Sequence, residues 1–254
     1  MEGTLEEARA KRWGYTGRKI VSFDRVSEWI DDVGFALLWP RAKTAAPVLW
    51  AIGSEDASVE WGPDAERMWR WKDELPKRRR AWYGHYLFGR KSFLSLQLLP
   101  HLYPREGTAD DYKAAGLSKD AMRVADVIFA SGPTSSAALR EATNLEGAQY
   151  SKAVAELGRA LVVTHFGVEE QGAGWPSAVL ELTSRVFKLK PSQDRARAAR
   201  TFLGTVIECK PNDLARAFNW SAPDARAILD ELVATNAATN DKSVYTAAGP
   251  LRRR

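Results

Sequence analysis

The chain has 254 residues, 45% of them hydrophobic and 27% charged, and a net charge of +5. That length buries a real core in two or three modules, and the balance is that of an ordinary soluble protein. Apolar runs fall short of a membrane helix, and the opening MEGTLEEARAKRW lacks the apolar centre of a signal peptide, so a cytoplasmic protein without a membrane partner is expected. Cys209 is alone, and His85, His101 and His165 are scattered. An internal disulfide is excluded, and neither a metal site nor a cofactor is expected.

The N-terminal third is marked by tryptophan: eight of ten precede residue 83. The stretch GFALLWPRAKTAAPVLW, residues 34–50, reads as a helix end, a proline-marked turn and a second apolar run closing on tryptophan. Trp39 and Trp50, with Trp69 and Trp71 further on, are the rings that a pocket for a flat ligand would use; packing is the plainer reading. MWRWKDELP gathers Lys72, Asp73 and Glu74 between aromatics and a proline. Buried, they would suit proton transfer; adjacent charges near a turn are expected to be exposed.

KRRRAWYGHYLFGRK follows, with six cations and no acid: Lys77, Arg78, Arg79, Arg80, Arg90 and Lys91. Such a run is usually a solvated face, but the interleaved Trp82, Tyr83, Tyr86 and Phe88 favour nucleic acid, because aromatic rings stack on bases or hold the patch rigid. The polar, turn-rich residues 104–118 then mark a boundary. They define a Trp-rich module over 1–116, for which a winged-helix-like fold of its own is an open alternative.

Residues 117–190 and 191–254 repeat one another. SSAALREATNL aligns with PNDLARAFNW, and AQYSKAVAELGRALVV with APDARAILDELVATNA. Ser118 and Ser221 are expected helix N-caps. Residues 161–166 are expected to pair with 177–183, and 237–239 with 244–246, as β-hairpin wings. Three helices and a hairpin, twice, predict a helix-rich α+β fold of tandem winged helices, a helix-turn-helix variant.

In such a motif the second helix offers its exposed side chains to the DNA groove. In the first copy these are Gln149, Tyr150, Ser151, Lys152, Glu156 and Arg159, a mix suited to base edges and phosphate. The second copy offers Asp224, Arg226, Ala227, Asp230 and Glu231, whose acids would repel phosphate, so a protein partner suits it better. Arg252, Arg253 and Arg254 read as a frayed tail.

With VGFALLWPRAKTAAPVLWAI, MWRWKDELP and YGHYLFGRKSFLSLQLLPHLY in this order ahead of a winged helix, the chain up to about residue 190 resembles the AlkZ-related branch of the AlkZ/YcaQ superfamily of winged-helix DNA glycosylases. The resemblance implies a DNA-associated protein with a concave basic surface between modules. It also exposes a departure. The active glycosylases carry a glutamine–aliphatic–glutamine or glutamine–aliphatic–aspartate motif where this chain has GFALLWP, so Ala36, Leu37 and Leu38 stand in its place. None of these can orient a water or stabilise an oxocarbenium-like sugar, and no catalytic residue is assigned; Gln97 is the nearest amide, in an apolar setting expected to pack. Noncatalytic binding of double-stranded DNA, or damage recognition, is the first reading. A divergent glycosylase with a base pocket near Trp39 and Trp50 and a winged-helix interaction scaffold are the alternatives.

Overall fold

A computed structural model of the chain describes residues 4–42, 44–55, 58–172 and 175–249. The tail arginines and part of the second module's wing loop lie outside the described residues.

After α1 (Leu5–Arg12), one sequence of elements is used three times. The first unit runs α2 (Phe23–Val33), β1 (Phe35–Leu37), α3 (Leu49–Gly53), α4 (Pro63–Lys77), β2 (Ala81–His85) and β3 (Lys91–Ser95), and α5 (Leu99–Leu102) leads away from it. The second runs α6 (Lys119–Ser131), β4 (Thr134–Ser135), α7 (Ser136–Thr143), α8 (Gly147–Arg159), β5 (Val163–Glu169) and β6 (Ser177–Leu182), followed by α9 (Thr183–Val186). The third runs α10 (Arg195–Val206), β7 (Glu208–Cys209), α11 (Pro211–Phe218), α12 (Ala222–Ala234), β8 (Ala238–Asp241) and β9 (Val244–Ala247). In each, the short first strand pairs with the last, giving antiparallel sheets β1-β3-β2, β4-β6-β5 and β7-β9-β8. The fold is helix-rich α+β and winged-helix-like, and the N-terminal unit has the same order as the other two. Sequence periodicity passes over β4 and β7 because they are two residues long.

The helix ends explain why the pattern recurs. Ser118 and Ser221 cap α6 and α12, accepting from the amides of Ala121 (3.3 Å) and Asp224 (3.1 Å). The first helix of every unit stops at a residue with positive φ, Gly34 (80°), Gly132 (78°) and Ile207 (72°), whose amide donates back to the carbonyl four residues earlier. The third helix stops two residues past its end on another, Arg79 (55°), Leu161 (55°) and Asn236 (56°). The next amide reaches five residues back each time: Arg80 to Leu75, Val162 to Leu157 and Ala237 to Leu232, at 2.8–2.9 Å. This left-handed stop satisfies carbonyls orphaned at the helix end and turns the chain into the wing. Between α7 and α8, and between α11 and α12, the turn is made by Asn144 (50°) and Asn219 (58°), residues aligned in the repeat.

The β1-β3-β2 sheet is covered on both faces. Ala36, Leu38, Ala81, Tyr83 and Phe93 pack with α2, α3 and α4 of their own unit. Phe35, Trp82 and Leu94 turn the other way, into a core shared with Phe202 and Phe218 of the third unit. Phe35 stacks on Phe202 at 5.5 Å. The second unit keeps its own core, which Tyr112 joins from ahead of α6, so its packing begins before the expected boundary at 116.

Candidate nucleic-acid interface

The basic run divides once the chain is folded. Lys77, Arg78, Arg79 and Arg80 are all exposed at the end of α4. Arg78 pairs with Glu74 (3.2 Å) and lies over the Phe23 ring, and Arg80 acts on Asp31, whose carboxyl is nevertheless raised above its ordinary value because burial outweighs that cation. Lys77 lies along the second unit: a Cβ on Gly167 would approach its Cδ at 3.2 Å.

Arg90 and Lys91, on the β2–β3 hairpin, are exposed, and so is Arg159 at the end of α8. All three act on His85. Its imidazole titrates below its ordinary range, first because it is half-buried, then through the positive fields of Lys91, Arg159 and Arg90. The helix meets the hairpin at Gly158, where a Cβ would stand 2.9 Å from both the nitrogen and the carbonyl oxygen of His85. Hairpin and helix are thereby held together, with exposed cations on both sides of the junction.

Gln149 and Lys152 are exposed nearer the start of α8. Tyr150 is placed differently from expectation: only 9% exposed, it faces inward as part of the second unit's core. On α12, Asp224 is paired with Arg195 (3.4 Å) and Asp230 accepts from the Tyr245 hydroxyl, so two of the acids expected to meet a partner already have partners within the unit.

Lys72 and Asp73 overturn the expectation of exposed charge. They are 4% and 7% exposed, because β5 of the second unit packs on α4. The Lys72 ammonium lies 2.6 and 2.7 Å from the two Asp73 carboxylate oxygens and 4.1 Å from the Trp69 ring centre. His165 comes from β5, its Nδ1 3.9 Å from Asp73, too long for a hydrogen bond. Its ring packs edge-on to Tyr83 at 4.8 Å. Burial pushes His165 down to about 4, with Asp73 pulling weakly the other way. Burial also lowers Lys72, against the pull of Asp73, and raises Tyr83 well above its ordinary value. At the rim, Lys91 is exposed as a residue, with its ammonium 6.0 Å from the Tyr83 ring centre. Desolvation of that end, then repulsion from Lys72, holds it at about 8. Lys72 reaches both Asp73 oxygens, so the two form a buried ion pair.

The tryptophans separate into two groups. Trp50 and Trp71 are each 4% exposed and lie in the first unit's core, with Trp39 packed against them. Trp39 and Trp50 are 5.5 Å apart and tilted. Trp69 instead joins the exposed Trp61 and Trp175 in an edge-to-face cluster. Ala36 and Leu38, on the inner face of β1 and the residue after it, are fully buried beside Tyr83 and Phe93. Gln97 lies exposed after β3, contrary to the packed setting expected. Among the described residues no cluster of His, Cys, Asp and Glu could hold a metal ion, and no helix is long and apolar enough to cross a membrane.

Comparison with curated proteins and with solved structures returns no match. A family model does match, over residues 20–218, which takes in the first two units and the third as far as the end of α11. With the repeated winged-helix-like units and the tryptophan-marked first unit, that extent identifies the chain as a member of the AlkZ-related family.

Proposed function

We infer that the protein binds double-stranded DNA without cleaving it, reading distorted or damaged duplex along the surface shared by the β2–β3 hairpin and α8. The observation that carries this reading is the close approach of α8 to the β2–β3 hairpin at Gly158 and His85, which joins the segment bearing exposed Arg159 to the hairpin bearing exposed Arg90 and Lys91. Cations drawn from two units onto one surface suit a polyanion that spans both, and releasing its counterions drives binding. Gln149 and Lys152 extend the surface along α8. Ala36 and Leu38 argue against hydrolysis: where the family's glycosylases hold amides, this chain has methyl groups sealed in its core.

Duplex affinity measured across a salt series tests the reading. Each cation that meets a phosphate contributes roughly 0.9 to the slope of log affinity on log salt. Arg90→Ala/Lys91→Ala/Arg159→Ala should therefore lower the slope by about 2 to 3. An unchanged slope, or no duplex binding by the parent protein at low salt, rejects this surface. Abasic product from an alkylated duplex under excess protein would overturn the noncatalytic assignment.

A further inference from the structure

Exposed apolar surface is unevenly spread over the molecule. Among the described residues five large apolar side chains are exposed, and four of them, Val59, Trp61, Val168 and Trp175, fall on two segments: the approach to α4 and the β5–β6 hairpin. The indoles bring those segments together. Trp175 lies 5.1 Å from Trp61 and 6.2 Å from Trp69, and Trp61 lies 5.9 Å from Trp69, each pair edge to face. The cluster is not closed over as a core would be: Trp61 and Trp175 are 56% and 68% exposed. The two faces of an indole make up most of its surface, so rings exposed to that extent keep a face open to solvent. Tryptophans in contact across two units and left in water mark an interaction surface.

Charge selects the partner. Glu60 precedes Trp61, Glu66 stands one turn before Trp69 on the same side of α4, and Glu169 and Glu170 open the loop that Trp175 closes. All four are exposed, and none has a cationic partner among the described residues. Of the cations in these segments, Lys72 is held by Asp73 and Arg67 by Asp64, both at 2.6 Å. That leaves Arg70, and Lys77 further along α4 beside Gly167, against four acids. The balance repels phosphate and attracts a cation. The rings have the same preference, because a tryptophan face is the best aromatic seat for an ammonium or guanidinium. The cluster already seats one: the buried Lys72 ammonium is 4.1 Å from the Trp69 ring centre.

We propose that the Trp61–Trp175 patch docks a cationic segment of a partner protein, with lysine or arginine side chains laid on the two rings and paired with the flanking carboxylates. The inference does not rest on the DNA-binding reading, since this patch and the cations of the hairpin and α8 favour ligands of opposite charge. Because the chain as a whole carries a net charge of +5, a cationic peptide binds it only through a local acidic site.

A synthetic peptide alternating glycine with lysine and arginine is titrated into the full chain by calorimetry at low salt, beside the same peptide with glutamate at every cationic position and a single-stranded oligodeoxythymidylate. The cationic peptide should bind and the glutamate peptide should not. Trp61→Ala and Trp175→Ala should each weaken binding by about three- to tenfold, and Glu169→Gln/Glu170→Gln should weaken it and reduce its salt dependence. Thermal unfolding checks that each variant folds. The indole N–H resonances of Trp61 and Trp175, assigned from the two variants, should shift when the peptide binds the parent protein, while those of the buried tryptophans stay in place. The proposal is overturned if the cationic peptide fails to bind, if the glutamate peptide binds equally well, or if both tryptophan variants bind like the parent. Oligodeoxythymidylate binding that is lost in Trp175→Ala would overturn it too, by assigning the rings to bases.

Discussion

Lys72 and Asp73 each lose their water when β5 closes over α4, and each is tolerable only because the other is there. Lys72→Met leaves an uncompensated buried carboxylate and should cost about 3–5 kcal/mol in denaturant unfolding, whereas Lys72→Met/Asp73→Leu should recover most of that loss. Additive losses in the two single variants and the double would show that the residues do not act as a pair. His165 carries a pH dependence. Its folded pKa of about 4 lies below the ordinary value near 6.5, so the fold holds it neutral and protons favour the unfolded chain. Its contribution is complete above about pH 6.5 and is lost as the pH falls toward 4, on the order of 3 kcal/mol in all. His165→Phe keeps an aromatic ring against Tyr83 and should flatten stability between those pH values, as followed by urea midpoints. This arrangement was not legible in the sequence. The residues that bury Lys72 and Asp73 come from a strand almost a hundred positions away, and local reading treats neighbouring charges beside a proline as exposed.

At the scale of elements, the left-handed stop after the third helix is the recurring device. Arg79 and Leu161 occupy a backbone conformation that costs a side chain roughly 1–2 kcal/mol. Arg79 is exposed and gives up little packing, so Arg79→Gly should raise stability by about 0.5–1 kcal/mol in thermal unfolding. Leu161→Gly should do the opposite, because Leu161 is 1% exposed in the shared core. The second and third units could be read as a repeat because Asn144 and Asn219 mark the same turn and apolar spacing marks the same helices. The first unit was legible only as an open alternative, because a long segment separates β1 from α3. Trp39 and Trp50 carry the same lesson. As rings flanking that segment they suggest a pocket, and only their packing with α4 makes them core.

For the whole molecule, the contacts between units decide both shape and surface. Buried hydroxyls join the first and second units: Thr164 exchanges hydrogen bonds with the backbone of Tyr83, and the Trp82 indole donates to Thr183. The Gly158–His85 approach fixes where α8 meets the hairpin, with backbone atoms on the receiving side that cannot swing away. Gly158→Ala should therefore cost about 1–3 kcal/mol by overpacking. It should also weaken duplex binding through displacement of Arg159 from Arg90 and Lys91, and unaltered affinity in a folded Gly158→Ala protein would show that this registry is not needed. From α1 and the residue after it, Arg9, Arg12 and Trp13 donate to carbonyls of Gly204, Thr205, Val206 and Glu208 in the third unit. The shared core also sets a timetable. While the ribosome is still making the second unit, the outer face of the first sheet lacks the Phe202 and Phe218 rings that pack on Phe35, and that part of it stays open until α10 and α11 emerge. The first unit is thus finished only after the third has been made, and through that interval the nascent protein carries an apolar face that a chaperone or a neighbouring chain can meet first.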